Sequence, residues 1–170
     1  MSNPNEAEKE PVQDDVEMTF LEARTILPGV QTLFGFQLTV LFTPIFQDKL
    51  SRLDQIIHFA SLALGALTIA VVIMPAAYHR RVNPGVASRR FTRFANRTLM
   101  ISLALTALAM GLNFYLITDV VFRDSGLSWA GGAVAIGIFG GCWFLIPNVG
   151  RAYRTPEELA AAKADPPKTP

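Results

Sequence analysis

Residues 56–78 read IIHFASLALGALTIAVVIMPAAY, and residues 79–97 continue HRRVNPGVASRRFTRFANR. The first segment holds no Lys, Arg, Asp or Glu; the second holds six arginines and no acid. A helix rises ~1.5 Å per residue and needs ~20 apolar residues to cross a ~30 Å hydrocarbon core. The first segment therefore reads as a membrane span, and the second as a connector held on one side of the bilayer.

Three more apolar runs lie outward from this pair, at about 26–46, 99–122 and 127–147. None carries Lys, Arg or Glu, and Asp119 stands near the end of the third of the four runs. The run at 26–46 is the most dilute, with Gln31, Thr32, Gln37, Thr39 and Thr43 inside it. Over 170 residues, 51% are hydrophobic and 17% charged, against ~25% charged in an ordinary domain. The charges lie almost wholly outside the four runs, whereas a soluble domain interleaves them at a period of 2 or 3.6. The expected fold is all-α: an integral membrane four-helix bundle over residues 25–150. A short amphipathic helix and acidic tail (1–24) precede it, and a polar Pro-rich tail (151–170) follows.

Four spans place both termini on the side of the arginine connector. That side carries Lys9, Arg24, Arg80, Arg81, Arg89, Arg90, Arg93, Arg97, Arg151, Arg154, Lys163 and Lys168; the other carries Lys49, Arg52 and Arg123. Basic residues in short loops stay in the cytoplasm, so both termini are expected there and the protein in a cytoplasmic (inner) membrane. Net charge of only +1 hides this asymmetry, because the acids gather in the amino-terminal tail from Glu6 to Glu22. The connector needs no nucleic acid to explain it; its partner is the bilayer, with anionic headgroups opposite the arginines. Phe91 and Phe94, three apart, are expected to dip toward the lipid beside them.

The amino-terminal tail lacks the basic region of a signal peptide, so the first span is expected to be retained. Residues 1–13 are polar enough to predict disorder. Val16, Phe20, Ala23 and Leu27 then recur at helical spacing and predict an interfacial helix, with Thr19 and Glu22 in capping-box register. Thr155-Pro156-Glu157-Glu158 predicts the start of another short helix.

At 100° per residue each span gathers small and polar side chains on one side. In the first these are Pro28, Thr32, Gly35, Thr39 and Thr43; in the second His58, Ser61, Gly65, Thr68, Pro75 and His79. The third offers Ser102, Thr106, Ala109 and Asn113; the fourth offers Ala130, Ala133, Gly137, Gly140 and Gly141, with Gly137 and Gly141 in GxxxG spacing. Small residues let helices approach closely in lipid, so the stripes are assigned to bundle packing. The competing readings are a lined substrate path and, for GxxxG, self-association.

Candidates for polar function are few. Gln31, Gln37 and Asn113 need partners inside hydrocarbon; Gln37 points away from its helix's stripe and so meets another face, a second protein or a ligand. His58 and His79 are 21 residues apart, ~30 Å along one helix, and cannot share one haem; both are placed at the interfaces. Asp119 lies at the level of His58 and Asp54, where it reads as a solvated helix end near Arg123, with a pH-sensing pair as the alternative. Cys142 is the only cysteine and excludes an intramolecular disulfide and any CxxC site. No catalytic, metal or cofactor motif is present, so the chain is expected to be no enzyme.

GVQTLFGFQLTVLFTPIF (29–46), IMPAAYHRR (73–81) and FANRTLMISLAL (94–105) resemble a family of small bacterial four-helix membrane proteins, domain of unknown function 6328. The likeness covers about 21–151 and rests chiefly on Gly29-Val30-Gln31, on Pro44 with Phe46, and on Pro75 before Tyr78-His79-Arg80. It implies a bacterial inner-membrane location and brings no activity, so no site residue is carried over. The expected role is a structural or accessory subunit among other membrane proteins or its own copies; the rival is a small oligomeric transporter or channel lined by Gln37, Asn113 and threonines.

Overall fold

A computed structural model describes the backbone of residues 4–82 and 89–152, and the side chains of 16–44, 46–82 and 90–150. The connector turn at Asn83-Pro84-Gly85, the Arg89 side chain and the helix expected from Thr155 lie outside them.

The described chain is all helical. α1 runs Pro4–Leu41, α2 Pro44–Asp48, α3 Arg52–Val82, α4 Arg89–Phe122 and α5 Ser125–Gly140. One π-helical turn, Gly141–Leu145, then leads into α6, Ile146–Ala152. That turn directly precedes Pro147, whose missing N–H and ring would strain an α register, and Ile146 N–H bonds back to Gly141 O instead. Pro75 neither ends nor interrupts α3; it is buried within it.

Three helical stretches are long and apolar enough to cross a membrane: Arg52–Val82, Arg90–Phe122 and Ser125–Gly150. α1 is not among them. Its apolar part, from Thr25 to Leu41, is 17 residues long and holds two glutamines, about 26 Å at 1.5 Å per residue. The helix expected to reach residue 46 stops at Leu41 because Pro44 disfavours helical geometry in the residue before it. Tight bonds close the break: Phe42 N–H to Thr39 O and Thr43 N–H to Val40 O, both 3.1 Å.

The amino-terminal segment also differs from expectation. Residues 4–13, predicted disordered, are helical, and no boundary separates an interfacial helix from the first apolar run. Thr19 is therefore mid-helix rather than a cap, and its hydroxyl donates across to Asn96 Oδ1 at 3.2 Å.

α4 is the centre of the fold. α3 and α5 each lie along it, and α1 lies over the groove between α3 and α4. Across Ser125–Gly150 the most apolar stretch is only 11% buried, against 33% for α3 and α4, so this segment lies at the edge of the fold. The α4–α5 turn is two residues. Arg123 takes the left-handed conformation (φ 53°), and Asp124 caps α5 by accepting from Gly126 N–H at 2.9 Å and Leu127 N–H at 3.2 Å. Ser51 and Asp54 form a reciprocal cap on α3: Asp54 N–H donates to Ser51 Oγ at 3.2 Å, and Ser51 N–H to Asp54 Oδ2 at 3.1 Å.

Candidate functional site

The packed face of α1 carries Val16, Thr19, Phe20, Ala23, Leu27, Val30, Phe34 and Gln37. Thr19 apart, these alternate at four and three residues, so one side of the helix fills the α3–α4 groove. The expected stripe points the other way. Thr32 and Thr39 are exposed, each hydroxyl donating to its own helix (Pro28 O at 2.8 Å, Gly35 O at 3.0 Å), and Gly35 has open space around it. A threonine that returns its proton one turn back needs no neighbouring helix, so hydroxyls did not mark the interface. Gln31 is exposed as well.

Gln37 enters the core instead and meets Ser61 and Asn113. Ser61 is fully buried and is the hub. Its hydroxyl donates to Ala109 O (3.1 Å) and accepts from Gln37 Nε2 (2.9 Å) and Asn113 Nδ2 (3.0 Å). Asn113 donates its second proton to Ala109 O at 2.9 Å. His58, 3% exposed, sits beside them with Nε2 at 3.0 Å from Gln37 O. A carbonyl only accepts, so the proton is on Nε2. The junction ties α1, α3 and α4 together four residues before α1 ends. His58 is enclosed by the protein, with Phe46 of α2 edge-on to it at 5.4 Å.

Below the junction the α3–α4 interface continues through Gly65, Thr68, Thr106 and Ser102, all buried. Thr68 donates to Leu64 O, Thr106 to Ser102 O and Ser102 to Leu99 O. Each satisfies its own helix while presenting a small surface to the next. Phe34 of α1 lies over Gly65, where a Cβ would come within 3.3 Å of its ring.

His58 and Asp119 are not joined. Asp119 is half-buried and accepts from Ser128 Oγ at 2.9 Å, while Asp54 is engaged by Ser51 Oγ at 2.6 Å. Asp54, Asp119, Lys49 and Arg123 share the rim of one open groove of ≈ 340 Å³. Among the described residues no three His, Cys, Asp or Glu side chains converge.

At the opposite end, Phe91 does not dip toward lipid. It is 2% exposed, with Val16 and Ala95 around it and the rings of Phe20, Tyr78 and His79 at 6.2, 6.2 and 5.1 Å. Phe94 is half-buried, its ring 5.0 Å from Tyr78. This aromatic cluster anchors the extended start of α1 to the ends of α3 and α4. Arg80, Arg81, Arg90, Arg93 and Arg97 are exposed around it.

α5 also packs on an unexpected face. Ser128, Gly132 and Ala135 are buried on it, whereas Ala130, Ala133 and Gly137 are exposed. Gly137 has nothing within 4 Å, and Gly141 meets only Leu145. The close approach is Gly111 against Gly132: a Cβ on Gly132 would stand 2.9 Å from Gly111 O, and one on Gly111 would overlap Ile136. Cys142 is exposed within the π turn.

A family model described as a family of unknown function, DUF6328, matches residues 5–147. The search of curated proteins and the search of solved structures each return no match.

Proposed function

We propose that this chain, which belongs to the DUF6328 family of unknown function, is a four-span inner-membrane protein acting as a non-enzymatic accessory subunit of a larger membrane assembly. In this reading α1 is the remaining span. Its core-facing glutamine is tied to Ser61, while Thr32 and Thr39 return their protons to its own backbone and Gln31 looks outward. The basic connector and both termini face the cytoplasm, with anionic lipid against Arg80, Arg81, Arg90, Arg93 and Arg97.

The observation that carries the assembly role is the asymmetry of α5. One face lies on α4, while the opposite one, with Ala130, Ala133 and Gly137, is small, apolar and exposed among the described residues. Small-residue faces at GxxxG spacing associate in lipid by close backbone approach. A transport path finds less support: Gln37 and Asn113 are bonded to Ser61, and Thr32 and Thr39 lie on the outer side of α1.

The test is site-directed crosslinking in native membranes from a cysteine at position 137, in a Cys142→Ser background, with mass analysis of the adduct. Adducts to one defined membrane protein, lost when Ala133 on the same face is changed to Leu, are the expected result. A chain that gives no adduct and extracts as a monomer would overturn the assembly role.

A further inference from the structure

One acceptor in the polar junction has no protein partner. Gln37 is 7% exposed, and its Oε1 is fully covered without a hydrogen bond. The Ser61 hydroxyl donates to Ala109 O and accepts from the Gln37 NH₂, so Oε1 faces the other way.

On that other side lies a cavity of ≈ 10 Å³ whose walls include Gln37, Phe34, Gly65, Thr68, Thr106 and Asn113. Its volume is about the minimum for one water molecule. Thr68 and Thr106 both donate their protons to backbone carbonyls, at Leu64 and Ser102, so their oxygens remain acceptors only. The rest of the cavity wall is largely apolar, from Val30, Leu33, Ala109 and Met110, so the unpartnered Gln37 oxygen needs a small ligand that brings protons. Its walls carry no carboxylate to balance a cation.

We infer that this cavity binds one water molecule, which donates one proton to Gln37 Oε1 and the other to a wall hydroxyl oxygen, Thr68 or Thr106. The water completes the clasp between α1 and the α3–α4 pair. It also accounts for Gly65: a Cβ there would stand 3.7 Å from Gln37 Oε1 and take the space the water occupies. A buried acceptor in hydrocarbon is otherwise costly, and an internal water with such partners is a fixed part of a fold.

Magic-angle-spinning NMR of the full chain in lipid bilayers tests this on the unmutated protein, through polarisation transfer from water to the Gln37 side-chain carboxamide. The expected result is a transfer peak at Gln37 that disappears in Gly65→Ala. Its absence from the unmutated protein overturns the inference. A thermal double-mutant cycle reads the same site independently. Gly65→Ala is expected to lower the unfolding midpoint by about 2–4 °C when Gln37 is present, and to leave it unchanged or raise it in a Gln37→Met background. An equal shift in both backgrounds contradicts the inference. So does a midpoint that rises when sodium or ammonium replaces choline, which would make the ligand a cation.

Discussion

Ser61 shows how a small hydroxyl governs this core. One oxygen accepts two amides and donates to a backbone carbonyl, so its removal strands donors on two other helices. Hydrogen bonds between membrane helices are individually worth ~0.6–2 kcal/mol, and unsatisfied buried groups cost ~1–3 kcal/mol each. Ser61→Ala is therefore expected to destabilise the protein by about 1–3 kcal/mol in reversible unfolding from detergent micelles, an effect largely absent in a Gln37→Leu/Asn113→Leu background. Equal losses in both backgrounds would show that the hydroxyl acts through its bond to Ala109 O on α4 rather than through the two amides. The sequence signalled that Gln37 needed a partner but not which one. Gln37 points away from the threonine stripe, as the spacing predicts; it is the stripe that faces outward rather than inward, because those hydroxyls satisfy themselves on α1.

Among the elements, α1 and α5 carry the main departures. Val16, Phe20, Ala23 and Leu27 were legible as one helical face. Continuing the same spacing through Val30 and Phe34 leads to Gln37, but reading a break before the apolar run hid that continuity. At its start, this face packs on Phe91, which sequence alone sent to the lipid because its neighbours are arginines. A Phe buried to this degree costs ~3–5 kcal/mol when truncated. Phe91→Ala is thus expected to lower stability by about 3 kcal/mol and to expose the start of α1 to protease, whereas a ring resting in headgroups would leave both unchanged. For α5, composition announced close packing but not which of several glycines performs it. Gly132→Val is expected to push α5 off α4 and cost about 1–3 kcal/mol of overpacking. Gly137→Ala, in open space, is expected to leave stability level or slightly raised; the reverse ranking would put the α4–α5 contact on the wrong face.

Across the whole molecule, the segregation of charge from four apolar runs made an all-helical membrane chain readable, and three of those runs are helices long and apolar enough to span. The α1 segment was harder to read because a polar junction substitutes for hydropathy: Gln37 lowers its apolar character but is neutralised by Ser61 within the fold. With α1 as the proposed fourth span, residues 47–50 lie on the side of the α4–α5 turn and the amino terminus beside the arginines. That crossing is the central claim. Single cysteines at Glu6, Asp48 and Arg90, each in a Cys142→Ser chain, can be labelled with a membrane-impermeant maleimide in intact cells and again after the membrane is opened. The account predicts labelling of position 48 in intact cells, and of positions 6 and 90 only after opening. Position 48 reacting on the same side as positions 6 and 90 would contradict it.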